Sequence, residues 1–260
     1  MEEITIPITS KVLIQIQIDD ELEVPISPTE MVSNSKVIWK LSRPNLLKVK
    51  DEYFNDQFLE WKNKNKKEIS NKNNKEIPSF VTQLIPETYC FPLFNQHFCY
   101  LLLQEIDSYL EASQRYGMGV RPLEFGFGSF IQTMCQEHLL PLIQILFPEY
   151  RQVRHFEDIY SKIVKYNLGE DEDWPAHVDV SELTINICLG REFKGSNLLL
   201  YGTRNSNSDD DEIQNCFEYV HIPGQLIIHK GSNRHSVSFL KSGTRENFVI
   251  LLNKPVFQTE

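Results

Sequence analysis

The sequence predicts a mainly β fold, a sandwich or barrel with flanking helices, and three observations carry that prediction. Short segments of alternating polarity recur at 159–166, 183–189, 197–201, 216–221, 225–229, 235–240 and 245–252. The breaks between them hold turn residues: Gly169, Gly190, Gly195, Pro223-Gly224, Gly231 and Ser242-Gly243. Many short strands at such spacing make a sandwich or barrel. Two upstream stretches with apolar residues at helical spacing supply its cover.

Composition sets the class. The 260 residues hold 26 Lys and Arg against 36 Asp and Glu, a net charge of −10, and 41% are hydrophobic. These are the values of an ordinary globular chain with room for one sizeable core or two smaller domains. The acidic balance argues against a nucleic-acid partner, because phosphate affinity needs clustered Lys and Arg. Cys90, Cys99, Cys135, Cys188 and Cys216 form no CxxC pattern and are odd in number, so reduced thiols are expected. No run approaches the ~18 consecutive apolar residues of a membrane span. The opening Met-Glu-Glu-Ile-Thr lacks the basic and apolar regions of a secretory leader. A protein of the cytoplasm or nucleus, neither secreted nor membrane-bound, is the expectation.

In chain order, the first strand is 12–18, where Ile14, Ile16 and Ile18 alternate with Leu13, Gln15 and Gln17. Residues 62–75 are a Lys/Asn run that buries no apolar surface and reads as an exposed linker. A helix from Gln96 to about Arg115 follows from the spacing of Phe98, Leu101, Leu102, Ile106, Tyr109 and Leu110, with Gly117 as its stop. A second begins near Ser129 as N-cap and carries Ile131, Met134, Cys135, Leu139, Leu142, Ile143 and Leu146 on one stripe, with Pro141 kinking or dividing it. His138 lies on that stripe and reads as a core histidine. These regions divide the chain into an N-terminal extension, 1–84, a helical support, 85–158, and a β domain, 159–255. In the segment 183–189, Leu183, Ile185, Ile187 and Leu189 share one face and Thr184, Asn186 and Cys188 the other. The aliphatic face is expected beneath a helix and the small polar face along a cavity.

The chemistry gathers around His177-Val178-Asp179. Two positions apart in extended backbone, the imidazole and the carboxylate leave the same side of the chain. A third ligand must come from a distant strand, and His221, His229 and His235 are available. His235 opens a strand after the turn-rich Lys230–Arg234, and the chain reverses at Ser242-Gly243 before Arg245, ten residues on. A 2-His-1-carboxylate set holds one face of an octahedral metal and leaves positions open for ligands and dioxygen. Arg245 begins the apolar run Phe248–Leu252, where a guanidinium is costly without an anionic partner; a bidentate carboxylate meets that need. His221 and His229 read as structural, with orientation of a ligand as the other role open to them. His97 and His155 carry no motif.

At these residues the sequence resembles the 2-oxoglutarate- and Fe(II)-dependent dioxygenases of the prolyl 4-hydroxylase-like superfamily. The matching text is Lys165–Gly169 before His177-Val178-Asp179, Leu183-Thr184, Gly195 before an apolar strand, Ile222–Gln225, His235 and Ser242–Arg245. Within the superfamily it looks most like the 2-oxoglutarate and iron-dependent oxygenase domain-containing proteins, through Phe91–Phe94, Phe98-Cys99 and Arg121-Pro122. The resemblance covers about 85–252.

It implies a double-stranded β-helix, or jelly roll, with an N-terminal helical extension. Fe(II) would be held by His177, Asp179 and His235, and the far carboxylate of 2-oxoglutarate by Arg245. Decarboxylation of 2-oxoglutarate to succinate would be coupled to oxidation of a C–H bond by molecular oxygen, with L-ascorbate as reductant. The chain departs from the family at Cys188-Leu189-Gly190, where many prolyl hydroxylases have Tyr-Leu-Asn; Thr184 or Tyr166 would replace the missing phenol. Ser196-Asn197 also replaces a common Gly and acidic residue, which leaves a protein, peptide or small-molecule substrate open. Two further readings of the same ligands are a zinc hydrolase or cupin-like enzyme, which needs no Arg245, and a catalytically silent jelly roll that only binds. Acidic clusters at 170–173 and 209–212 read as solvated loops or as a rim favouring a cationic substrate.

Overall fold

In a computed structural model of the chain, residues 2–8, 12–18, 36–39, 43–65, 76–113, 119–170, 173–202 and 216–257 are described. Strands β1 (Glu2–Ile8), β2 (Val12–Ile18) and β3 (Lys36–Trp39) form a small sheet, antiparallel between β1 and β2 and parallel between β2 and β3. Then follow α1 (Asp56–Asn65), β4 (Thr82–Ile85), β5 (Thr88–Pro92), α2 (Gln96–Ser113), α3 (Gly128–Thr133) and α4 (Leu140–Leu146). The remainder is β6 (Val153–Asn167), β7 (Trp174–His177), β8 (Leu183–Gly190), β9 (Phe193–Gly195), β10 (Leu198–Gly202), β11 (Phe217–Tyr219), β12 (Gln225–Lys230), β13 (Arg234–Val237) and β14 (Leu240–Phe257).

Two sheets make a jelly roll. The larger runs β4-β5-β12-β8-β14-β6, with β9 added to β14, and the smaller runs β11-β10-β13-β7. Strand parity decides what lies on each side of the larger one. Leu183, Ile185, Ile187 and Leu189 of β8 pack with Leu226 and Ile228 of β12, Phe248, Ile250 and Leu252 of β14, and the buried stripe Phe98, Leu102, Ile106 and Tyr109 of α2. Each such side chain contributes roughly 1.5–3 kcal/mol when fully buried. The opposite face meets the smaller sheet: Ile227 and Tyr166 cluster with Leu198, Leu200 and Val237. The expected division of 183–189 into a helix-covered face and a cavity face is thus what folds.

Two expectations change in the structure. Residues 62–65 are not linker but the last turn of α1, and Lys62 is buried, paired with Asp51 and lying 5.1 Å over the Phe54 ring. The Asp51 carboxylate and the aromatic face offset the cost of removing that ammonium from water; residues 66–75 lie outside the described chain. The helix expected from Ser129 starts at Gly128 with Phe127 at the cap position and no side-chain cap. Burial of the Phe127 ring against Phe125 and Phe130 sets that start instead. It does divide near Pro141, through a π-helical stretch Met134–Leu139. Widening the turn relieves the clash of a proline ring with the carbonyl four residues back, and Pro141 then sits in the first turn of α4.

The rest of the helical layer follows its pattern. Tyr53 stacks on Phe98 at 4.4 Å, Phe58 on Phe91 at 6.1 Å, and Phe98 on Phe130 at 5.6 Å, joining residues 43–65 to the same core as α2 and α3. His138 packs its ring 5.0 Å from Phe54 but is only half-buried, at the edge of that core. No helix among the described residues is long and apolar enough to cross a membrane.

Candidate metal centre

His177 ends β7 and His235 lies in β13, and the two residues are register partners in the smaller sheet, their rings 4.3 Å apart. Asp179 follows in the irregular segment between β7 and β8, where its N–H donates to the Gly231 carbonyl at 2.9 Å. One donor atom from each of His177, Asp179 and His235 lies within 4.8 Å of the others. Asp179 Oδ1 is 3.6 Å from His177 Nε2, and Oδ2 is 3.7 Å from His235 Nε2.

Backbone carbonyls set the tautomers. His177 Nδ1 donates to Pro175 O at 2.8 Å and His235 Nδ1 to Asn233 O at 3.0 Å. Both Nε2 lone pairs are left facing the carboxylate, which is how ligating histidines are held. Burial pushes the Asp179 carboxyl up, but the His177 imidazole, the neighbouring His235, the Thr184 hydroxyl and His229 outweigh it and bring its pKa to about 2. The contact with Asp179 raises His177, whereas burial lowers His235. Two imidazoles and an ionised carboxylate suit a divalent first-row metal such as Fe(II).

The centre opens on a cavity of about 190 Å³. Tyr160, Lys162, Val164 and Tyr166 line it from β6, Thr184 and Asn186 from β8, Val249 and Leu251 from β14, and Trp174 from β7. A wider groove of about 590 Å³ between residues 121–133 and the other side of β6 holds none of the ligands. Thr184 lines the cavity as expected, but its hydroxyl hydrogen is engaged: Oγ1 donates to Asp179 Oδ2 at 2.6 Å, and Ser181 Oγ stands 2.9 Å away.

Arg245 is not among the residues that line this cavity. It lies in the larger sheet opposite Tyr166, 1% exposed, with its guanidinium carbon 4.3 Å over the Tyr166 ring. From Thr184 to Cys188, whose thiol adjoins Arg245, is four residues of strand, roughly 13 Å. Burial lowers the Arg245 pKa, and its Nε and Nη1 have no hydrogen-bond partner. A buried guanidinium with donors unmet is the feature a ligand carboxylate completes.

His229 stands behind His235, rings 4.8 Å apart, with Nδ1 bonded to Lys230 O at 2.7 Å; burial brings its pKa to about 4. Neither it nor His221 joins the ligand set among the described residues. His97 and His155 are exposed. The acidic stretch 209–212, with residues 171 and 172, lies outside the described chain. Sequence reasoning missed Asn247, buried on the cavity-side face of β14 and bonded to Asn186. A lone amide inside an apolar strand was its available signal.

Comparison with known proteins agrees with this geometry. Residues 38–152 match the OGFOD2-like domain family. The 2-oxoglutarate and iron-dependent oxygenase domain-containing protein ICU11 of Arabidopsis thaliana is 30% identical over 200 residues, 70% of this chain and 49% of that protein. The mouse 2-oxoglutarate and iron-dependent oxygenase domain-containing protein 2 is 31% identical over 172 residues, 63% of this chain and 48% of that one. The chain is a relative of the 2-oxoglutarate and iron-dependent oxygenase domain-containing proteins. It spans about half the length of the curated relatives it matches. A crystal structure of prolyl 4-hydroxylase from Phytophthora capsici shares the fold, with a TM-score of 0.51, 15% identity, and coverage of 79% of this chain and 68% of that one. The family match begins at residue 38, well upstream of the 85 at which motif resemblance starts, and takes in the aromatic layer that packs under β8.

Proposed function

We propose that the protein is a non-haem Fe(II)- and 2-oxoglutarate-dependent dioxygenase that hydroxylates a C–H bond of a protein, peptide or small-molecule substrate. The observation that carries the reading is a pair. Two histidine Nε2 atoms and the Asp179 carboxylate converge on one cavity, and a buried guanidinium with unmet donors lies further along the same barrel. When bound, iron and 2-oxoglutarate supply the oxidation, in which the keto acid loses carbon dioxide to become succinate while oxygen enters the substrate.

The chain's own residues bind and orient. His177, Asp179 and His235 would hold the metal, and the cavity beside them would admit its other ligands. Arg245 pairs with the far carboxylate of 2-oxoglutarate, and the apolar walls Val164, Leu198, Val249 and Leu251 keep water from the bound diacid. Tyr160 and Trp174, both partly exposed on the cavity rim, form the surface a substrate meets. L-ascorbate would serve as the reductant that keeps such a centre in the Fe(II) state.

Conversion of 2-oxoglutarate to succinate by purified protein, dependent on Fe(II) and accelerated by ascorbate, tests the reading. Comparing hydroxylated peptides and metabolites from cells carrying the wild type and Asp179→Ala then seeks the substrate. No succinate under any condition, together with no measurable binding of Fe(II) or 2-oxoglutarate, overturns it.

A further inference from the structure

Beyond Arg245, the barrel holds a polar cluster that the metal centre does not use. Asn247 follows Arg245 by two positions on β14, so both side chains leave the same face of the strand. The Asn247 amide nitrogen donates to Asn186 Oδ1 and, at 3.4 Å, to His221 Nδ1. The second bond fixes a tautomer. A ring nitrogen that accepts carries no proton, so a neutral His221 holds its hydrogen on Nε2. Burial, and after it the nearby Arg245 guanidinium, hold His221 well below the ordinary imidazole value, so the ring is neutral.

That Nε2 is buried without a partner, as are Nε and Nη1 of Arg245. A buried donor left unmet forfeits its hydrogen bonds to water without replacement. Buried polar groups are almost always paired; the cluster holds one unmet acceptor, Asn247 Oδ1, against these three donors, so the excess marks a place for an acceptor. Tyr219 meets the His221 ring edge-on at 5.4 Å and 90°, and its own hydroxyl is tied to Gln225 Oε1 at 2.6 Å. The imidazole is therefore held in place before any ligand arrives. On its other side His221 borders an open groove, so the ring walls the barrel from solvent.

We propose that His221 is a second binding residue for the far carboxylate of 2-oxoglutarate, its Nε2–H and the Arg245 guanidinium forming one cradle inside the barrel. The inference rests on the dioxygenase reading above and adds a determinant of cosubstrate choice. A neutral N–H contributes direction without a second buried charge. A keto acid lacking the far carboxylate leaves all three donors unmet, which is the kind of contact that discriminates strongly.

The test is calorimetric titration of the full chain loaded with Mn(II), which binds at the same ligands without turnover. Three probes are used: 2-oxoglutarate; glutarate, which has both carboxylates but no keto group; and pyruvate, which has no far carboxylate. His221→Leu is expected to weaken 2-oxoglutarate and glutarate about 10-fold or more, while pyruvate and Mn(II) affinities stay as in wild type. His221→Gln, whose amide nitrogen takes the place of Nε2, is expected to recover most of the loss. His221→Asn, which reaches only the place of Nδ1, is not. The Gln and Asn pair decides the matter should the Leu variant fold poorly. Wild-type diacid affinity in His221→Leu, or an equal loss for pyruvate and Mn(II), overturns the assignment. Arg245→Gln separates the two layers: diacid binding lost there but intact in His221→Leu sinks only this inference, whereas no diacid binding by wild type sinks the dioxygenase reading with it.

Discussion

The Thr184 hydroxyl donates a 2.6 Å hydrogen bond to Asp179 Oδ2, so the strand that floors the cavity also aims the carboxylate of the metal centre. Thr184 is 2% exposed in β8 and Asp179 lies in the irregular segment between β7 and β8, so the strand is the rigid partner and that segment the one being steered. Groups that orient a metal ligand typically matter 10–100-fold in metal affinity. Thr184→Val, which keeps the shape and removes the hydroxyl, is expected to weaken Mn(II) binding by about that factor. Thr184→Ser is expected to stay near wild type. Metal titration followed by calorimetry reads both, and equal affinity in all three proteins would remove Thr184 from the positioning of Asp179.

Arg245 sets function against stability. Its guanidinium is buried, and the Tyr166 ring beneath it is a weaker partner than a carboxylate. Replacing buried charge with an apolar side chain of similar volume is often neutral or stabilising, by about 1–4 kcal/mol. In ligand-free protein, Arg245→Met should therefore melt at or above the wild-type temperature; in a chain of this size 1 kcal/mol moves Tm by about 2–4 °C. Adding 2-oxoglutarate should raise the Tm of Mn(II)-loaded wild type and leave the variant where it was. A marked drop in the Tm of ligand-free Arg245→Met would show that the guanidinium is structural.

Much of this was legible in strand parity. The alternation of Leu183, Ile185, Ile187 and Leu189 with Thr184, Asn186 and Cys188 by itself separates the helix face from the cavity face. The spacing of His177, Asp179, His235 and Arg245 pointed to the centre. β7 was not legible, because it is four residues long, contains Pro175 and is largely exposed at the edge of its sheet, so it has no alternation to read. Lys62 misled for a related reason: composition marks its run as solvated, and only the tertiary partners Asp51 and Phe54 make its burial tolerable. The depth of Arg245 was also hidden, since it depends on the larger sheet pairing β14 with β6.

Gly231 couples packing to the site. A Cβ there would lie 2.0 Å from the Ser181 carbonyl oxygen, and the Gly231 carbonyl accepts from Asp179 N–H. Gly231→Ala must push the 179–182 segment away and move the carboxylate with it. Overpacking of this kind costs typically 1–3 kcal/mol, and metal affinity is expected to fall more steeply than stability. Gly169→Ala is the control: its φ of +83° is unfavourable for alanine, but nothing stands within 4 Å of the added carbon. It should lose only about 1 kcal/mol and bind metal normally. Denaturant melts paired with Mn(II) titrations of both variants check this, and normal metal affinity in Gly231→Ala would refute the coupling.

The cysteines give a reagent-based measure of the fold around both ends of the barrel. Cys90, Cys99, Cys135 and Cys188 are buried free thiols, and Cys216 is the more accessible one among the five. Burial raises the pKa of Cys99 and Cys135 to about 12 and that of Cys188 to about 11. Only the thiolate is nucleophilic, so at neutral pH these three carry almost none of the reactive form and are also shielded from reagent. A small alkylating agent at pH 8 is expected to modify Cys216 first, leaving the other four until denaturant is added, when all five react. Cys188 adjoins Arg245, so its labelling is the informative one. Binding of 2-oxoglutarate to the Mn(II)-loaded chain should slow the residual native-state labelling of Cys188 by the factor through which it suppresses opening of the barrel. Cys135, packed in the π-helical stretch away from that cavity, should slow only to the extent that global unfolding does. Mass mapping of the labelled peptides distinguishes the sites. Rapid native labelling of Cys188, unaffected by 2-oxoglutarate, would mean that the end of the barrel holding Arg245 is open to solvent rather than closed around a ligand.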